Sequence, residues 1–172
     1  HAFSALSSHL SATLRAKKSV DAFRVWAVGC ATGEEVYSLA ISMLELFQQK
    51  GVRPALQLFG TDISEVALAR ARAGTYPEGI EQDVSASRLE QYFRKTDTGY
   101  QISKSIRDVC VFAKQDVTRD PPFGHVDLIS CRNMLIYLGP ALQKTVLPLF
   151  HYSLNPGGVL FLGPAETIGT AT

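Results

Sequence analysis

The sequence predicts an α/β fold, a parallel sheet wound by helices on both faces. Two observations carry that reading. Short runs rich in β-formers alternate with stretches of helical period, and the first such run ends in a glycine loop that opens directly into a helix. At 172 residues the chain is long enough for one core and too short for two substantial ones.

In residues 1–18, Phe3, Leu6, Leu10 and Leu14 recur at three and four, an amphipathic helix ending in a basic turn. Residues 24–28 form the first strand, broken by Gly29. Beyond Gly33, the side chains of Val36, Leu39, Ala40, Met43, Leu44 and Phe47 share one helical face, and Lys50-Gly51 supplies a basic last turn and a terminating glycine. Residues 56–60 read as a second strand ending in Thr61-Asp62, and Ser64 caps a helix that runs to Ala73-Gly74.

The stretch 76–108 is more polar and less periodic. It reads as an insertion, with a helical turn at Leu89, Tyr92 and Phe93 and a turn at Gly99. Residues 108–113 and 126–130 are two more strands, and 140–154 a helix with proline in its first turn and an expected kink at Pro148. The run Asn155-Pro156-Gly157-Gly158 marks a turn before a last strand at 159–162.

Composition narrows the function. With 46% hydrophobic and 19% charged residues and a formal charge of +1, the chain is neither a disordered tail nor a basic nucleic-acid arm. No apolar run approaches the roughly 20 residues that cross a bilayer. The start has neither an initiator Met nor a secretory pattern, so the chain reads as a piece of something longer. Cys30, Cys110 and Cys131 have no paired spacing, which favours free thiols and a cytoplasmic home.

The loop Gly29-Cys30-Ala31-Thr32-Gly33-Glu34-Glu35 stands at the carboxyl end of the first strand, where α/β proteins bind ligands. Its glycine spacing is not that of a dinucleotide fold, and no lysine follows as a P-loop requires. Glu34 and Glu35 occupy the helix start where a pyrophosphate would lie, and like charges at a few ångströms cost on the order of 1–4 kcal/mol. A cationic ligand carrying a ribose is favoured, which describes S-adenosylmethionine. The alternative for the glutamates is plain stabilisation of a helix N-terminus. Asp62 is placed to accept from ribose hydroxyls, or else to serve as a turn former for the helix of Ser64. Asp116, after the third strand, is a candidate partner for an adenine amino group.

These residues resemble the catalytic domain of CheR-type chemotaxis receptor methyltransferases. The resemblance covers nearly the whole chain, 1–172, and rests on Gly29 through Ser38, on Gly60-Thr61-Asp62-Ile63, and above all on Ile129-Ser130-Cys131-Arg132-Asn133-Met134-Leu135-Ile136-Tyr137. Pro156-Gly157-Gly158 and Leu162-Gly163-Pro164-Ala165-Glu166 complete it. It implies a Rossmann-like S-adenosylmethionine-dependent methyltransferase fold with a small inserted antiparallel subdomain at 76–108. The implied reaction moves a methyl group to glutamate side chains on the cytoplasmic helices of chemoreceptors, leaving S-adenosylhomocysteine and a methyl ester.

The resemblance also assigns residues. Gly29, Cys30, Thr32, Gly33, Glu35, Asp62 and Ile63 are the cofactor residues of the first two strands, Asp116 and Val117 border the adenine, and Asn133 meets the methionine part. Arg132 and Tyr137 stand at the transfer site. Family members carry an N-terminal helical domain and, a few residues before the position of His1, a Phe-Phe-Arg segment, neither within this sequence, and their sheet ends in an antiparallel hairpin whose last strand would lie beyond Thr172. Val36 stands where the family has proline. The insertion corresponds to a subdomain that some members use to hold a receptor's C-terminal peptide, and it is expected not to grip one here.

The chemistry agrees with the residue inventory. A glutamate with a pKa near 4.3 arrives ionised, so no general base is needed, and the four histidines form neither a triad order nor a metal spacing. Arg132 fits as a fork for the incoming carboxylate with Tyr137 as a phenol donor; an ion pair of Arg132 with Asp62 or Glu35 is its alternative. Asp120-Pro121-Pro122-Phe123 resembles the signature of amino-directed DNA methyltransferases but precedes the fourth strand instead of following it. A non-catalytic cofactor-binding or scaffold module of a hybrid signalling protein is the other reading. No nucleic acid and no membrane insertion are expected.

Overall fold

The computed structural model describes residues 2–16, 21–132, 134–164, 166 and 168. Helix α1 spans Ala2–Ala16, followed by β1 (Phe23–Val28), α2 (Glu34–Lys50), β2 (Leu56–Asp62) and α3 (Glu65–Ala73). The second half adds β6 (Cys110–Lys114), β7 (Val126–Cys131), α6 (Pro140–Ser153) and β8 (Leu154–Leu162). Between the halves lie β3 (Thr75–Pro77), α4 (Ala86–Tyr92), β4 (Phe93–Thr96), β5 (Gly99–Ile102) and α5 (Lys104–Arg107).

The five long strands pair in the order β6-β2-β1-β7-β8, every pair parallel. Alternation along β1 feeds two cores. Val25 and Ala27 join the cluster of Leu6, Leu10 and Leu14 from α1 and Leu39 and Met43 from α2, while Trp26 and Val28 join Val146 and Phe150 of α6. Helices therefore cover both faces. From β1 the chain first builds outward through β2 and β6, then returns to lay β7 on the other side, so the order reverses between β1 and β7. A crevice at the carboxyl ends of these two strands follows from that reversal.

Local chemistry explains the ends. Ser64 accepts from Ala67 N at 3.2 Å as the cap of α3, and Gly51 and Gly74 close α2 and α3 in the left-handed conformation. The insertion is a separate three-stranded antiparallel sheet, β3-β5-β4. A Cβ on Gly99 would lie 2.0 Å from the Tyr76 carbonyl, so the close strand approach admits only glycine there. Arg88 forks onto Glu45 of α2, with Nη2–Oε2 at 2.7 Å and Nε–Oε1 at 3.1 Å, and so docks the insertion.

Three expectations need correction. The strand expected at 108–113 begins only at Cys110, because residues 104–107 close a helical turn that Asp108 ends. The turn at Asn155–Gly158 does not precede the last strand but interrupts it: Leu154 pairs with Val126 and Val159 with Leu128, so the residues between bulge out, with Gly157 at φ 79°. The hairpin turn of the insertion falls on Asp97-Thr98, with Gly99 already in β5. Helix α6 runs on through Pro148 to Ser153.

Candidate functional site

The glycine loop is built on three left-handed residues, Gly29 (φ 67°), Ala31 (φ 48°) and Gly33 (φ 89°). A side chain at Gly33 would put Cβ 2.9 Å from Ala71 Cβ, and one at Gly60 would put it 2.8 Å from the Phe112 ring. Without side chains there, the loop packs onto Ala71 of α3 at Gly33, and β2 packs onto Phe112 and Val36 at Gly60. Cys30 N donates to Thr61 O at 2.9 Å, Gly33 N donates to Cys30 O at 2.9 Å, and the Tyr76 hydroxyl donates to Thr32 O at 2.9 Å.

Asp62 binds the neighbouring loops together. Its Oδ2 accepts from Ala31 N and its Oδ1 from Ser64 N, each at 2.9 Å. The turn-forming role is thus observed, and each oxygen keeps a further lone pair beyond its amide donor. Thr32 Oγ1 donates to Glu34 Oε1 at 2.7 Å, which leaves Glu34 at the surface. Glu35 turns inward across the switch point, accepting from Ser130 Oγ at 3.2 Å and lying 3.5 Å from Arg132 Nη1. Burial raises the Glu35 pKa, and the Arg132 charge opposes that rise.

At the end of β6, Gln115 N donates to Asp62 O at 3.0 Å, which brings the next two residues to the crevice edge. Asp116 Oδ1 accepts from Thr118 N at 2.9 Å and from Thr118 Oγ1 at 2.6 Å, and these bonds hold its carboxyl below the ordinary value. Val117 packs on the second core, and Ile63 stands 68% exposed beside Asp62. Beyond β7, a turn at Leu135–Tyr137 leaves Tyr137 81% exposed. Asn133 lies outside the described residues.

The structure therefore places two bonded groups at the carboxyl ends of the strands: the glycine loop with Cys30, Thr32 and Gly33, braced by Asp62, and Glu35 with Ser130 and Arg132; Gly29, Ile63, Asp116 and Val117 lie at the same end of the sheet. Of the two partners left open for Arg132, it selects Glu35. Tyr137 makes no bond to either group among the described residues. The sequence reading missed Glu166, whose Oε1 accepts from Leu135 N at 2.7 Å and whose Oε2 accepts from Gly163 N at 2.9 Å, so that it anchors the Tyr137 turn. Its signal was its place at the end of the Leu162–Glu166 motif. Ser130 and Tyr76 were missed too; Tyr76 lies far from the loop in sequence and carried no local signal.

A fit to a cationic nucleoside follows from this donor set. Three carboxylates, Glu34, Glu35 and Asp62, surround the loop, and the Arg132 cation is engaged by one of them. Burial pushes the thiols of Cys30, Cys110 and Cys131 up to about 12, so no thiolate is present as a nucleophile. The Asp-Pro-Pro-Phe tetrad serves the core: Phe123 stacks on Phe59 at 4.6 Å and meets Trp26 edge-on at 5.5 Å.

Residues 1–172 match the family model described as the S-adenosylmethionine-binding domain of CheR methyltransferase. The chain belongs to the CheR methyltransferase family. S-Adenosylmethionine is accordingly the cofactor of this CheR domain, in agreement with the acidic crevice. A chemotaxis protein methyltransferase of Vibrio parahaemolyticus is 33% identical over 84% of this chain and 54% of its own length. Chemotaxis protein methyltransferase 1 of Pseudomonas aeruginosa is 32% identical over 84% and 55%. The CheR chain thus spans about half the length of these relatives. It matches an uncharacterized 104.1 kDa protein of Rhodobacter capsulatus at 41% identity, over 84% of this chain and 15% of that one. Among solved structures, the S-adenosylmethionine-dependent methyltransferase SibL superposes with a TM-score of 0.51 over 81% of this chain and 30% of its own at 17% identity, a likeness of fold. No described helix is long and apolar enough to cross a membrane.

Proposed function

We propose that this chain is the catalytic domain of a protein-glutamate O-methyltransferase that esterifies glutamate side chains on the cytoplasmic helices of chemoreceptors, and that it works in the cytoplasm. The supporting observation is the Asp62 brace, which binds the glycine loop to the end of β2 and keeps Asp62 beside Glu34 and Glu35 at the carboxyl ends of the parallel strands. When bound there, S-adenosylmethionine supplies a methyl group activated on a sulfonium.

The chain's own residues hold and orient. Asp62 accepts from the ribose hydroxyls, Glu35 receives the ammonium of the amino-acid end, and Asp116 with Val117 borders the adenine. Gly29, Cys30, Thr32 and Gly33 form the backbone wall, Ile63 an apolar one, and Asn133 contacts the methionine part. An acceptor glutamate with a pKa near 4.3 enters as the anion, so alignment replaces proton abstraction. Tyr137, open to solvent at the mouth, donates its phenol to one acceptor oxygen and leaves the other to attack.

Calorimetric titration with S-adenosylhomocysteine, together with tritiated-methyl transfer to receptor fragments, tests this reading. Asp62→Asn should weaken binding about tenfold or more; unchanged affinity defeats the ribose assignment. The Rhodobacter relative, in which this domain matches only 15% of a much larger chain, favours a second reading as a cofactor-binding module of a hybrid signalling protein. Tight binding without transfer to any receptor fragment would select that one.

A further inference from the structure

Arg132 suits a substrate carboxylate by type, but its surroundings commit it elsewhere. Its Nη1 lies 3.5 Å from Glu35 Oε1, its guanidinium carbon 5.0 Å from the Phe161 ring centroid, and its Nε is buried without a partner. A fork needs two N–H groups free along one edge. With Nη1 turned to Glu35 and Nε shut away, the fork edge through Nε is closed to a substrate and the remaining edge is shared with the pair.

Glu35 is the complementary half. Its Oε1 takes both Arg132 and the Ser130 hydroxyl, the latter at 3.2 Å, while no described residue bonds Oε2. The geometry points to Arg132 as a positioning residue: seated on Phe161, it turns Glu35 so that Oε2 faces the crevice and receives the ammonium of the cofactor's amino-acid end. The inference rests on the reading of this crevice as the cofactor site, and it replaces the fork role expected for Arg132.

The charges around Glu35 support the assignment. Burial disfavours its anion, Glu166 from beyond β8 adds to that, and Arg132 is the facing cation that opposes both. The thiols of Cys30 and Cys131, pushed up to about 12, stay neutral and contribute no charge. Without Arg132, Glu35 would take up its proton at a higher pH, and a protonated carboxyl does not pair with an ammonium.

The test is calorimetric titration of S-adenosylhomocysteine into wild type, Arg132→Gln, Arg132→Lys and Glu35→Gln from about pH 5.5 to 8.5, with methyl transfer measured in parallel. Arg132→Gln should bind about tenfold more weakly at neutral pH, with the deficit growing toward acid, and Arg132→Lys should recover most of the affinity and flatten the profile. Wild-type affinity of Arg132→Gln at every pH, with transfer abolished, overturns the inference in favour of a substrate fork. Wild-type affinity of Glu35→Gln overturns the cofactor reading itself, a separate outcome. Should Arg132→Gln not fold, Arg132→Lys decides: transfer kept alongside binding supports positioning, and transfer lost with binding intact refutes it.

Discussion

The hydroxyl of Tyr76, at the first strand of the inserted sheet, donates to the carbonyl of Thr32 in the glycine loop over 2.9 Å. Burial raises the phenol's pKa, so it remains a donor throughout the physiological range. The insertion is thereby tied to the glycine loop as well as to α2. Tyr76→Phe removes that bond and should lower stability by about 0.5–1.5 kcal/mol in urea melts. S-Adenosylhomocysteine affinity should fall with it, and unchanged affinity would show the loop to be rigid without this tie.

The two close glycines should tolerate no side chain. Gly33→Ala places a Cβ in a left-handed residue 2.9 Å from Ala71, and Gly60→Ala places one 2.8 Å from the Phe112 ring. Each is expected to cost about 1–3 kcal/mol by thermal or urea unfolding, from strain at Gly33 and overpacking at Gly60.

Glu166 should separate turnover from cofactor binding. Its carboxylate holds Leu135 N and Gly163 N, and so the turn that carries Tyr137. Glu166→Ala leaves those amides without their charged acceptor, a loss of about 1–3 kcal/mol. The rate of methyl transfer should drop several-fold further than the affinity for S-adenosylhomocysteine; equal losses would place Glu166 in the cofactor site.

Asp116 supplies a pH signature. Its bonds to Thr118 depress its folded pKa, so the stabilisation is present above the ordinary aspartate value near 3.9 and is lost as pH falls through the lowered value. Thr118→Val should therefore destabilise the protein at neutral pH, and the gap from wild type should close in acid. A gap constant down to about pH 2 would contradict the assignment.

The thiols give a test of packing. With Cys30 and Cys131 buried, and burial pushing all three thiols up to about 12, iodoacetamide at about pH 8 should leave the native protein largely unlabelled. Urea should open all three. Rapid native labelling of Cys131 would mean that the end of β7 is open.

Local chemistry alone determined a good deal of this protein. The alternation of Val25, Trp26, Ala27 and Val28, the helical period from Val36 to Phe47 and the capping by Ser64 and Gly51 are set by neighbours a few residues apart, so the parallel sheet, the loop and its acidic helix start were legible. The Cys131–Tyr137 motif and the loop carried the family in the same way. Tertiary structure alone decided which charges meet. Arg132 lies 97 positions from Glu35 in sequence, yet the switch between β1 and β7 brings them to 3.5 Å as an ion pair. It also put Tyr76 against Thr32, joined Glu166 to the Tyr137 turn and folded Asn155–Gly158 into a bulge inside β8. These contacts join strands by register and chain crossover, and no spacing along the sequence encodes such a distance in space.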